Sequence, residues 1–411
     1  MKEYFDPNDY VDVTECDSDA INLAVKEARA SGVNRVLITG VNKRTGCGIW
    51  NISRAILLPS DIEIVIDNAI LRQADGSFDN IFRTENTFSE LSSCLEENIH
   101  IRGVGEAVLD GGVPNGLTES TSCKAGFPHV IRNNMILITN TKGFSISGIT
   151  FRDMRWWAIN LIHATDGTLS ALAFDAKDNI PNQDGIDLRI GCRNILIENI
   201  KGAAGDDLIA LSGFRGFERA LGFDFPDVCP DIYDIKIRQV EGTSVSKAVI
   251  AIRNHDGVKI HNIDIDGVYD TSHIMGHKPY ATLRIGQKTY SNFGFSTLSD
   301  TSFIRARNIH TFSGDAIMVN VTLEDSSFEE VYLKDCARCA FTTDSDWMPC
   351  GAVLSRVALR GVYDESSSSE PLIRLVRESD VEFVRDFSIS NIYSSESRQI
   401  LTSEYEGVFL G

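Results

Sequence analysis

The sequence predicts an all-β chain, a single right-handed parallel β-helix built as a solenoid of short strands, with one N-terminal α-helix capping its end. Three observations lead there. The chain has 411 residues, beyond the size at which one compact core stops growing, yet no Pro/Gly/Ser-rich linker or block of like charge divides it. Short alternating segments echo one another from about residue 97 onward. The single early amphipathic segment is followed only by strand-like runs. One domain over residues 1–411 is therefore expected, with about 1–60 forming the cap and first strands and about 61–411 the coils.

The capping helix is read from Asp17-Ser18-Asp19 followed by residues 20–28. Ile21, Ala24, Val25 and Ala28 share one helical face, and the Asp/Ser cluster offers N-cap acceptors. Beyond Gly32 the pattern changes to the strands 35–39, 55–58 and 62–66. A helix in this place would cover core and unpaired strand edges at the end of a solenoid.

The repeat reads as Asn or Gly, then alternating apolar and polar residues, then Asn or Gly again. It appears at 98–104, 143–149, 193–200, 233–240 and 257–263. Period-2 alternation makes a half-buried strand, and the flanking Asn or Gly permits the left-handed backbone of a tight corner. The first two units start 45 residues apart and the next 50, each interval holding another strand set such as 157–162. Coils of roughly 20 to 25 residues are expected on that reading.

A formal net charge of -19 and a pI near 4.8 exclude nucleic acid and an anionic membrane surface as partners. No apolar run approaches the roughly 20 residues of a membrane span. Residues 1–6 lack a basic-then-apolar signal pattern, so a cytoplasmic protein is expected, or a secreted one if a signal was removed. The nine cysteines are scattered. Cys336 and Cys339 form a CxxC with no second pair at zinc spacing, so buried reduced thiols are expected, with no metal and no cofactor.

Acids appear where the repeat needs none in two segments. They are Asn182-Gln183-Asp184-Gly185-Ile186-Asp187 and Gly205-Asp206-Asp207-Leu208. Asp184 and Asp206 are 22 positions apart, one expected coil, which would stack them about one strand spacing, 4.8 Å, from each other. Carboxylates so placed repel, so one would hold a proton while another stays ionised, the pairing that glycoside hydrolysis uses. An Asp-Gly turn alone is more often a structural cap, but three acids on adjacent coils point to chemistry.

These segments resemble the polygalacturonase-like glycoside hydrolases of family 28, in the pectin lyase-like parallel β-helix superfamily. The signatures are Asn-x-Asp at 182–184 and Gly-Asp-Asp at 205–207, one coil later. Gly103-Val104-Gly105 through Asp110-Gly111, the pair Trp156-Trp157 before a strand, and Leu58-Pro59-Ser60-Asp61-Ile62 are similar as well. The resemblance runs over roughly residues 10–320. It implies an inverting O-glycosyl hydrolase acting on an oligo- or polysaccharide. Asp206 would be the general acid, Asp184 and Asp207 would flank an activated water, and Asn182 would orient a carboxylate or sugar hydroxyl.

Two departures bear on the substrate. Where the family has Gly-His-Gly, Lys247 stands in the histidine's place, with His255 at the far end of that strand. Where it has Arg-Ile-Lys, residues 284–286 read Arg-Ile-Gly, with Lys288 two residues on. That basic pair grips a sugar carboxylate in galacturonan-cleaving members, so a neutral or mixed oligosaccharide is favoured. Lys247, His255, Arg284, Lys288, Asn182 and Trp157 are the expected substrate contacts, and residues 214–230 an aromatic insertion walling the cleft. His273, His277 and Tyr280 would line the same groove. The competing readings are a β-helix lyase or epimerase acting on a uronate, and a non-catalytic carbohydrate-binding solenoid.

Overall fold

The computed structural model describes residues 2–89, 92–176, 180–287, 297, 299–343, 353–376, 384–395, 397–402 and 406–411. They fall into two compact units, one of residues 1–176 with 180–187 and one from Leu188 to Gly411. Both are all-β, few helices interrupting them, and the strand pairings below are parallel.

In the first unit the strands form three stacks. Arg35–Thr39 pairs with Ile62–Asp67, then Glu96–Val104, then the latter part of Ile136–Ser147, then the middle of Ile159–Asp175. Ile49–Ile52, Ile70–Gln73, Val108–Asp110 and Thr150–Arg152 make a second stack. Ile56–Leu58, Phe82–Thr84 and the starts of Ile136–Ser147 and Ile159–Asp175 make a third. Three strands per coil, each pairing with its counterpart one coil on, is the β-helix arrangement that the alternation implied.

The core is a set of side-chain columns. Ile64, Ile101, Ile146 and Leu169 occupy successive rungs, all at most 1% exposed. Burying each such side chain is worth about 1.5–3 kcal/mol, and repetition rather than one central core accumulates the stability. At the corners Asn98, Asn194, Asn199 and Asn262 take φ of 54–56°. Asn tolerates this left-handed conformation, and its amide reaches across coils, as Asn98 Nδ2 does to Asp61 Oδ1 at 2.8 Å.

The helix is present over Asp17–Ser31, with Gly32 at φ 74° closing it. It buries Ile21, Ala24, Val25 and Ala28 and packs against the first strand of each stack. Asn22 completes the contact, donating to Ala55 O and accepting from Leu57 N. The expected N-cap is corrected: Cys16 is the N-cap and makes no side-chain cap bond. Asp17 and Ser18 instead accept the backbone N–H groups of Asn51 and Ser53, pinning the next connection to the helix.

In the second unit Arg193–Ala204, Ile232–Ser244, Ile260–Asp270, Thr301–Val319, Leu323–Ala337, Leu354–Asp364 and Phe387–Tyr393 pair in turn. A second stack runs through Ile209–Gly213, Ala248–Asn254, Ala281–Ile285, the end of Thr301–Val319, Phe341–Thr342 and Ile373–Arg374.

Coil length departs from expectation. Phe144 pairs with Gly167, 23 residues on, but Ile99 pairs directly with Phe144, 45 residues on. That interval is one coil carrying a long connection through residues 111–135, not two coils. The thiols also differ from expectation, for Cys192 and Cys339 are buried whereas Cys47, Cys94, Cys123, Cys229 and Cys336 are exposed. All are free, and burial pushes the Cys339 thiol up to about 12. Among the described residues no helix is long and apolar enough to cross a membrane.

Candidate active site

The two acidic motifs occupy equivalent places, each in the turn that leads into a strand. In the first unit Asn182 takes the left-handed conformation at φ 60°. Gln183 then plugs its amide onto Met154 O at 2.6 Å. Ala158 N and Ile159 N bond to Asp184 O and Gly185 O, so the coil of residues 158–162 docks on the motif's backbone. Asp184 is 2% exposed.

In the second unit Asp206 and Asp207 lie between the strands Arg193–Ala204 and Ile209–Gly213. Asp206 is half-buried, and its carbonyl accepts the Ser244 hydroxyl. Ser244 Oγ also accepts the Lys247 N–H at 2.7 Å. Asp207 is fully buried. Its Oδ1 accepts the Ala248 N–H at 2.9 Å, and Arg284 Nη2 reaches Oδ1 at 3.0 Å and Oδ2 at 2.8 Å. Arg253 stands 3.5 Å from Oδ2 and also bonds Ser212 Oγ at 3.1 Å. Lys247 Nζ lies 5.7 Å from the centre of the Tyr280 ring, which is 45% exposed. A half-buried acid thus adjoins a buried one clamped by guanidinium, with an ammonium and an exposed aromatic ring nearby along the chain.

Residues 72–217, which include both acidic motifs, match the family model for glycosyl hydrolases family 28. The chain is a family 28-like glycosidase. Its fold is the pectin lyase-like parallel β-helix of several solved polygalacturonases. The family 28 exopolygalacturonase of Yersinia enterocolitica matches at 12% identity and TM-score 0.58, over 100% of this chain and 78% of that one. A hyperthermoactive exopolygalacturonase from Thermotoga maritima matches at 13% and 0.55, over 98% and 91%. The polygalacturonase of Erwinia carotovora matches at 14% and 0.55, over 90% and 94%. No curated protein matches in sequence.

Of the substrate contacts expected for this family 28-like glycosidase, some lie elsewhere than the sequence suggested. Arg284 is 2% exposed and turned onto Asp207, not outward. Trp157 and Trp156 are 6% and 5% exposed, their rings 6.0 Å apart. Both precede the strand Ile159–Asp175 and are buried, Trp157 included, which was expected to meet the sugar. His255 is 4% exposed and stacks on Phe214 at 5.0 Å. His273 stacks on Phe312 at 3.8 Å, within a cluster that includes Tyr269. Lys288 lies outside the described residues.

The insertion after Ile209–Gly213 folds on itself. Phe214 and Phe223 are buried, and a short helix, Arg215–Ala220, presents Glu218 to Arg189 at 2.6 Å, both side chains buried. Burial pushes the Glu218 carboxyl up against the opposing pull of Arg189. Arg189 also lies over the rings of Phe214 and Phe217. Burial would raise Asp224, but bonds from Arg215 and Arg219 outweigh it and hold that carboxyl below its usual value. Sequence reasoning missed Arg253 and the Arg189–Glu218 pair. Arg253 had left a signal, an arginine closing the apolar run 248–252.

Proposed function

We propose that this family 28-like glycosidase hydrolyses a glycosidic bond in a pectic or related oligo- or polysaccharide, with Asp184, Asp206 and Asp207 acting together as one catalytic acid cluster. The observation that carries the reading is Asp207, a carboxylate buried without exposure yet held in one orientation by Arg284 and the Ala248 N–H. Burying a charge this completely is costly unless it is paired. A turn cap needs no such burial, and the half-buried Asp206 adjoins it along the chain.

In the proposed reaction Asp206 gives its proton to the departing glycosidic oxygen as the bond to the anomeric carbon breaks. A water attacks that carbon from the opposite face. Its proton passes to the carboxylates of Asp184 and Asp207, and the anomeric configuration inverts. Asn182 and Lys247 are the proposed contacts to substrate hydroxyls or a carboxylate. We also read the chain as one right-handed β-helix with Asp17–Ser31 as its cap. The apolar face that the helix buries against the first strand of each stack supports that role.

The test is a screen of the purified protein on oligogalacturonides, their methyl esters and neutral oligosaccharides, following reducing ends and ultraviolet absorbance together. New reducing ends without absorbance, insensitive to chelator, are expected. Absorbance from an unsaturated product, lost in chelator, would replace this reading with a lyase. Silence on all substrates would reject the activity.

A further inference from the structure

We propose that Arg284 is the positioning residue of Asp207, and that it leaves the substrate to other side chains. The inference rests on the catalytic role proposed above for Asp207. It reverses the expectation that this arginine grips a sugar carboxylate.

The register shows how the contact is made. Ala210 pairs with Ala251, and Ala251 pairs with Arg284, so the three occupy one column on successive rungs. Rungs are about 4.8 Å apart, so Arg284 must reach back over two of them to meet Asp207. Ala251, on the one rung between them, carries only a methyl group, so a longer side chain there would crowd the path. The guanidinium then bonds both carboxylate oxygens through one nitrogen, while the Ala248 N–H fixes Oδ1 from another direction. Oδ1 and Oδ2 thus have set directions, as a group that must aim a lone pair at a water requires.

Arg284 has little to offer a substrate. Its side chain is 3% exposed, and Nη2 is committed to Asp207. Arg253, 3.5 Å from Oδ2, is tied to Ser212 and to Gln287 Oε1 at 3.4 Å, so it supports the same carboxylate from a second side.

The experiment compares kcat and KM for an oligogalacturonide and its methyl ester. The variants are Arg284→Gln, Arg284→Lys, Ala251→Leu, Asp207→Asn and Asp207→Asn/Arg284→Gln, with melting temperatures for all. Arg284→Gln is expected to lower kcat about 10²-fold on both substrates, as a misplaced catalytic group does, with KM within about twofold. Arg284→Lys recovers part of the loss. The double variant is no less active than Asp207→Asn alone. Ala251→Leu, which keeps the arginine but fills its path, reproduces the kcat defect and covers the case in which Arg284→Gln does not fold. A rise in KM confined to the acidic substrate, with kcat kept, would overturn the proposal, as would a further loss in the double variant. Undiminished turnover in Asp207→Asn would instead remove the catalytic reading on which the proposal stands.

Discussion

Replacing Glu218 with glutamine withdraws the charge that Arg189 meets at 2.6 Å, with both side chains at most 3% exposed. Unit charges about 4 Å apart attract by about 4 kcal/mol at an effective dielectric near 20. Removing one member of a buried pair typically costs about 3–5 kcal/mol, because the other charge stays desolvated. The contacts of Arg189 with Phe214 and Phe217, at 5.3 and 4.9 Å, are made in parent and variant alike and cancel. The low end of the buried-pair range, about 3 kcal/mol, is the expected loss. A six-residue helix is not stable alone, and the bridges from Asp224 run to Arg215 and Arg219 side chains that are 32% and 66% exposed. The loss should therefore appear as local opening. Amide exchange in residues 214–224 is expected to quicken about 100-fold, at 1.4 kcal/mol per tenfold, while the global melting point moves less. The double variant Arg189→Met/Glu218→Leu replaces the pair with apolar side chains and should restore protection. Exchange rates unchanged in Glu218→Gln would refute this reasoning.

Two further outcomes follow from other parts of the second unit. Burial would raise the Asp364 carboxyl, but hydrogen bonds from Ser394, Ser366 and Arg398 outweigh it and hold it below its ordinary value of 3.8. A folded value lower than the unfolded one contributes stability above the ordinary carboxyl range and loses it as pH falls through the folded value. Asp364→Asn should therefore melt well below the parent at pH 7, the gap narrowing only as the pH falls below the ordinary carboxyl value of 3.8. A gap independent of pH would contradict the assignment. Gly314 sits at φ 72°, where an added Cβ would stand 2.3 Å from Pro279 O and 2.5 Å from Tyr280 O. Gly314→Ala should cost about 2 kcal/mol or more in a denaturant titration, from left-handed strain plus the clash. A loss below about 0.5 kcal/mol would be inconsistent with that placement.

Much of the fold was written in local chemistry. The residues expected to turn the coils, among them Asn98, Asn194 and Asn262, do take the left-handed conformation, because that preference belongs to the residue itself. The amphipathic face of the first helix was legible for the same reason. What could not be read depends on partners distant in sequence. Arg284 meets Asp207 across two rungs, 77 positions apart in the chain, and no local pattern encodes that pairing. Coil length itself misled between Ile99 and Phe144, where a long connection imitates an extra turn of the solenoid. Trp157 was expected to meet the sugar, whereas it is buried with Trp156 just before a strand. Aromatic residues in the insertion suggested an exposed wall, but Phe214 and Phe223 are buried, and Phe214 stacks on His255.

The central claim is that the acidic cluster performs the chemistry, and Asp206→Asn tests it most directly. The change keeps the shape of a half-buried side chain and removes its ability to donate an acid proton. Turnover on the best oligosaccharide substrate should fall by at least about 10²–10⁴-fold, the usual contribution of a general acid, with the melting temperature preserved. Parent-like turnover, or a fall in melting temperature that accounts for the lost activity, would return Asp206 to a structural role and contradict the account.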